Sequence, residues 1–335
     1  MSQTVGPKPL FTPTRAGKTS DVKAAHGTNE TEGVKGLSTT ASADLPGHLP
    51  KITKVDVDNL QKASSKTPGI TGAKIVAEVD IGIPASGITH LPSGETLLVN
   101  DNDGIARLRE HKGPKSLGKP HKGADLEGIA SDSKGKHVWV VDESDRRVHR
   151  YDVSHDKDGK LELKDADDAR RLPKLKDVTN KGWEGLTFLS KEVLGGKHDA
   201  LVCAHEGSPR RIGIYELPDL DTGVTLAIPD AAKKLLPDVA DVAIDPKTGH
   251  ILVVSDQSRT VVELAIKKQT RAASQGLLEQ VELEVVSTID LSKHLSKNDK
   301  PEGLAFDQLG RLWVALDFEN DHKNAGKAVV LELSH

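Results

Sequence analysis

The chain has 335 residues, 29% of them charged, and a formal net charge of −4. That length admits one large all-β domain or two ordinary ones, and the balanced charge excludes the basic surface of a nucleic-acid binder. Aromatics at 3% exclude a platform of stacked rings, and a single cysteine, Cys203, excludes an internal disulfide.

Residues 1 to about 70 are rich in Ser, Thr, Gly, Pro and Lys, with Phe11 the only aromatic. No period of 2 or 3.6 persists, so the segment buries too little apolar surface to offset its ordering entropy and is expected to be disordered. It reads as a tail or linker, or as an export signal of the kind bacterial effectors carry. It has no apolar core of a secretory signal peptide. The longest apolar runs, such as Val138-Trp139-Val140-Val141, fall far short of the roughly 20 residues a membrane span needs.

From Ala73 the text becomes strand-like, beginning with the alternation of Lys74 to Ile81. A motif then recurs, in which a polar and mostly acidic residue precedes Gly and a short apolar run. Its copies begin at Ser86, Glu127, Glu184, Asp241 and Glu302. In four of them an X-Gly turn follows, then a second apolar run ending in Asp. Ser86 to Asp101, Glu127 to Asp142, Asp241 to Asp256 and Glu302 to Asp317 are each 15 positions apart, with the turn glycine near the middle. Such a turn between β-rich runs predicts a hairpin, and its register places the leading acid opposite the trailing Asp. The third copy departs. Its connection is six residues longer, through Ser190 to His198, and His205-Glu206 stands where the others have Asp.

More strand text follows each hairpin, at Arg147 to Tyr151, Arg211 to Tyr215, Thr260 to Leu264 and Lys327 to Leu331. Four strands per repeat at this period predict an all-β β-propeller of five blades spanning residues 71–335, with six blades the alternative. The strand at Lys74 to Ile81 lacks a hairpin partner and is the expected outer strand of the last blade, which would join the two ends of the ring.

These motifs, with Val141-Asp142-Glu143-Ser144, Ala204-His205-Glu206-Gly207-Ser208-Pro209 and Ser255-Asp256-Gln257-Ser258-Arg259, resemble the SdiA-regulated family of bacterial β-propellers over residues 74 to 335. The resemblance implies a usually extracytoplasmic, often membrane-tethered propeller with a calcium site and no established enzymatic activity. A more distant similarity to esterase-like phytases and lactonase-type propellers implies hydrolysis as an alternative. This chain shows no signal or anchor, so it is expected in the cytoplasm or exported by a non-Sec route.

On the innermost strands, Ser86, Glu127, Glu184, Asp241 and Glu302 would ring the channel mouth. Crowded carboxylates hold a proton or a cation among them. A set of hard oxygens without thiolates selects Ca²⁺, with Mg²⁺ the alternative. Glu127, Glu184, Asp241 and Glu302 are therefore the expected metal ligands. Ser86, Asp101, Asp142, His205, Asp256 and Asp317 form a second rank, as ligand-binding or supporting groups. The competing reading makes these acids fold staples that accept backbone N–H bonds.

Three functions compete. The first is a calcium-binding module that presents one face to a small ligand or protein, expected as a monomer. The second is a metal-dependent hydrolase of a phosphoester or lactone, with Glu184 or His205 as base. The third is a secreted effector that binds a host protein. Trp183 is expected near the mouth, while Trp139, Trp313 and Cys203 are expected in the core.

Overall fold

The computed structural model describes residues 21–23, 68–100, 104–109, 114–118, 124–173, 182–194, 196–207, 210–273, 276–318 and 326–335. Most of the reading of residues 1–70 lies outside them. Of Asp21–Lys23 the backbone forms a short strand, β1.

The repeats are antiparallel sheets, one per blade. Blade 1 holds β3 (Gly87–His90), β4 (Thr96–Asn100), β5 (Gly104–Arg107) and β6 (Lys115–Gly118). Blade 2 holds β7 (Leu126–Ser131), β8 (His137–Asp142) and β9 (Arg147–His155), with its outer position divided between β10 (Leu161–Asp165) and β11 (Arg170–Arg171). Blade 3 holds β12 (Trp183–Leu189), β13 (Ala200–His205), β14 (Arg211–Glu216) and β15 (Gly223–Ala227). Its long hairpin connection contains the one-turn helix α1 (Lys191–Leu194). Blade 4 holds β16 (Asp241–Ile244), β17 (Ile251–Ser255), β18 (Thr260–Ala273) and β19 (Gly276–Asp290). Blade 5 holds β20 (Asp299–Phe306), β21 (Leu312–Phe318) and β22 (Lys327–Ser334).

The fourth strand of blade 5 is β2 (Gly72–Asp80), which pairs with β22 from Gly72↔Ser334 to Asp80↔Lys327. β1 lies outside it. The orphan strand at the start of the repeat region thus closes the ring, as expected. The innermost strands β3, β7, β12, β16 and β20 touch in cyclic order, and β20 meets β3. The fold is a five-bladed β-propeller. Among the described residues no helix is long and apolar enough to cross a membrane.

Each blade buries both of its faces, which is why the second strands read as continuous apolar runs rather than alternating ones. On β8, Val138 and Val140 pack towards blade 1, whereas Trp139 and Val141 pack towards blade 3. Five apolar clusters result, one at each blade interface. Cys203 is buried in one of them, and burial pushes its thiol far above its ordinary value. Trp139 and Trp313 are core residues too, at 7% and 3% exposure.

Turns far from the channel mouth combine two devices. Gly94, Gly135, Gly249 and Gly310 all adopt positive φ, as the X-Gly reading requires. In three of these turns an Asp ahead of the glycine takes up backbone N–H groups. Asp132 Oδ1 accepts from Lys134 and Lys136, Asp245 Oδ1 from Lys247 and Thr248, and Asp307 Oδ1 from Leu309 and Arg311.

Backbones crowd near the axis. A Cβ at Gly128 would stand 2.5 Å from Leu186 N and 2.7 Å from Glu184 O, both on the next blade. Backbone atoms in a closed ring cannot step aside one at a time. Gly128→Ala is expected to lower stability by about 1–3 kcal/mol, the usual cost of overpacking, as read by urea denaturation.

Candidate cation site at the channel mouth

The inner strands begin at the mouth, but not in one register. In blades 2, 3 and 5 a bulge interrupts the first hairpin, between Leu126 and Ile129, between Trp183 and Leu186, and between Pro301 and Gly303. A bulge adds an unpaired residue and re-aims its side chain. Glu127, Glu184 and Glu302 occupy these bulges. Leu126, Trp183 and Lys300 therefore face Asp142, His205 and Asp317, not the leading acids themselves. The expected facing of acid and trailing Asp is corrected accordingly.

Blade 4 differs again. In blade 1, Ser86 N donates to Val99 O and Gly87 pairs with Val99. In blade 4, Ala240 N donates to Val254 O and Asp241 pairs with Val254. Ala240 thus takes the acid's place and Asp241 takes the glycine's. The crowding around the axis repeats this shift, since a Cβ at Gly185 would collide with Asp241 Cα and Val242 N.

Asp241 is fully buried and does not line the mouth. Its Oδ1 accepts from Leu186 N at 3.0 Å and Val242 N at 2.7 Å, and its Oδ2 accepts from Leu304 N at 2.6 Å. One carboxylate ties the inner strands of blades 3, 4 and 5. Burial raises its pKa well above the carboxylate range, and the three N–H bonds oppose that rise. Of the four expected ligands, this one is a staple at the axis.

The other three converge. A cavity of about 390 Å³ at the mouth is lined by Ser86, Glu127, Glu184 and Glu302, together with Glu206, Asp238, Asp256 and Asp317. Seven carboxylates thus share one small space. The nearby cation Lys300 stands 4.0 Å from Asp256. Asp256 Oδ1 is buried without a hydrogen-bond partner. Asp238 is fixed by Ser255 Oγ and by Gln257 N at 3.3 Å.

Crowding shows in the acidities. Burial pushes Glu184 strongly upward, and Glu127, Glu143 and Glu206 push it further. Burial, then Asp317, raises Glu302 to about 7 although Lys300 opposes the rise. Glu143 is raised by burial and by Asp125. Asp125, Glu127 and Glu143 offer oxygens within 4.8 Å of one another, a grouping able to hold a metal ion. A second grouping is Asp142, Asp145 and His149 on the rim of blade 2.

Strand alternation divides the expected second rank. Asp256 and Asp317 reach the mouth, but Asp142 and His205 turn inward. Asp142 is fully buried and accepts from Asp125 N at 3.2 Å, Ser144 N at 3.0 Å and Ser144 Oγ at 2.6 Å. His205 is 3% exposed and packs edge-on against Trp183, ring centroids 4.9 Å apart. Burial lowers its pKa to about 4, so it stays neutral at physiological pH. Trp183, expected near a ligand, is fully buried and donates from Nε1 to Pro173 O. Asp101 lies outside the described residues.

Glu206 and Asp238 line the mouth although the repeat motif does not mark them. The signal for the first is parity, because the residue after the trailing one points into the mouth in blades 3 and 4, as Glu206 and Gln257 show. The signal for the second is position. Asp238 stands two residues before Ala240, as Asp125 stands two before Glu127.

Two solved structures are similar in outline. Glutaminyl cyclase from Myxococcus xanthus is 15% identical, with 78% of this chain and 97% of that chain covered and a TM-score of 0.49. A protein of unknown function from Bacteroides thetaiotaomicron is 13% identical, with 78% and 62% covered and a TM-score of 0.44. A family model described as SdiA-regulated matches residues 70–317, which span all five repeat motifs and most of the ring. The chain belongs to the SdiA-regulated family.

Proposed function

We propose that this propeller is a calcium-dependent binding module whose mouth holds the ion and offers it to a small ligand or a protein. The observation that carries this reading is the seven-carboxylate cavity, where Glu184 and Glu302 are held far from their ordinary acidity by burial and by each other's neighbours. A divalent cation relieves such repulsion without protons. The oxygen-only donor set suits Ca²⁺, and the irregular spacing of Glu127, Glu184, Glu206 and Glu302 suits it better than the octahedral demands of Mg²⁺. Ser86 is the one hydroxyl that lines the cavity among the described residues, no cysteine or histidine lines it, and His205 faces the core. That favours binding over hydrolysis.

Chelator-treated protein titrated with Ca²⁺ tests the proposal. Saturation at about 100 times Kd should add about 2.7 kcal/mol of stability, seen as a rise in melting temperature. Mg²⁺ should bind more weakly, and Glu184→Gln combined with Glu302→Gln should remove most of the rise. No shift in melting and no metal by elemental analysis would sink the idea.

A further inference from the structure

The face opposite the acidic mouth carries a cavity of different chemistry. It lies between blades 2 and 3, where β7 turns into β8, where β12 runs into α1, and where β14 turns into β15. Its volume is about 410 Å³, within the range of small-molecule pockets. The long third-blade connection builds one wall.

Its floor is aromatic. Trp139 and Phe188 stack across the blade interface, with centroids 5.6 Å apart and planes 14° from parallel. Trp139 is nearly buried and Phe188 is half-buried, so the pair leaves an apolar edge towards the cavity.

Its rim is cationic. Lys134, Lys136, Lys191, Lys197 and Arg170 line it, and none makes an ion pair with a described residue. Asp132, Asp168 and Asp199 among them have other partners, while Glu192 lies near Lys191 and Lys134 and is held below its ordinary value first by its own backbone N–H. Asp132 accepts from Lys134 N, Lys136 N and His137 Nδ1, and Asp199 accepts from Lys191 N. Asp168 pairs with Arg150 Nη2 at 3.1 Å. Arg150 keeps a further donor. Its Nε is buried without a hydrogen bond, with Asp152 Oδ1 3.8 Å away. Asp168 Oδ1 is likewise without a partner.

We propose that this cavity binds a planar organic anion, an aromatic ring carrying a phosphate or carboxylate. The ring lies against Phe188 and Trp139, where offset stacking adds to the burial of apolar area. The anionic group meets the lysine rim and the Arg150 guanidinium, whose planar fork matches phosphate and carboxylate oxygens. The site is separate from the acidic mouth, which would repel such a ligand.

Calorimetric titration of the full chain tests this with four probes. They are 1-naphthyl phosphate, 1-naphthoate, the uncharged 1-naphthalenemethanol and inorganic phosphate. The two charged rings should bind at least about tenfold more tightly than the neutral ring or phosphate alone, a difference of about 1.4 kcal/mol. The better of the two identifies the anionic group. Phe188→Ala should weaken 1-naphthyl phosphate about tenfold. Lys134→Glu with Lys191→Glu, both exposed positions, should weaken it as much and abolish its salt dependence. Should Phe188→Ala fail to fold, the lysine pair decides alone. Equal affinity for the charged and neutral rings, or affinity indifferent to the lysine pair, would overturn the proposal.

Discussion

Asp241→Ala is expected to lower stability by about 3 kcal/mol or more in urea denaturation. The substitution leaves the N–H groups of Leu186, Val242 and Leu304 without their acceptor, and each orphaned buried N–H costs about 1–3 kcal/mol. The three donors belong to three blades, so the loss loosens the inner ring at two interfaces together. Asp241→Asn should fall between Ala and the native protein, because its amide oxygen still accepts while its NH₂ faces a donor. The loss should be the same with chelator as with Ca²⁺, since this carboxylate does not line the mouth. A cost within about 1 kcal/mol of zero would refute the staple, as would a cost that vanishes in chelator.

The second large effect concerns pH. Glu302 titrates at about 7 in the folded chain, against about 4.3 for an unperturbed glutamate. Between those values the folded state holds more protons than the unfolded one. Stability therefore falls as pH rises through that window. Glu184 and Asp241 are raised as well and act in the same direction, extending the decline to higher pH. Metal-free protein should accordingly melt at a lower temperature at about pH 8 than at about pH 5. Calcium competes with protons for the same oxygens, so its stabilisation should be small at the acidic end and largest at the basic end. Glu302→Gln should flatten the metal-free decline. A melting temperature that rises across the window in chelator would contradict the burial of these acids.

Much of the ring was legible beforehand, because it rests on features with a fixed sequence period. The turn glycines announced the hairpins, the apolar runs announced blades buried on both faces, and the unpaired strand before Ser86 announced the closure. The site was legible only in part. Counting from a turn gives register as long as no residue is inserted, and bulges at Glu127, Glu184 and Glu302 insert one in each of three blades. The equal spacing of Asp241 and Asp256 then misleads. Asp256 does reach the mouth, while Asp241 sits one step along, in a glycine's place. Asp142 and His205 fail for a related reason. They end their strands on the parity that faces inward, and the acids Glu143 and Glu206 beside them hold the outward one.

The pairing of β2 with β22 also bears on how the chain is made. Thr71 donates to Ser334, 263 positions further on, so the first strand of the ring synthesised waits for the last. Until Lys327 to Ser334 leave the ribosome, blade 5 lacks its third strand and β2 has an open edge, which invites pairing with other chains. Contacts of such long range are slow to form. Nascent chains stalled before Lys327 should accordingly lack a closed ring even when four blades are complete, and a chaperone that shields exposed strand edges would be needed until β22 is made.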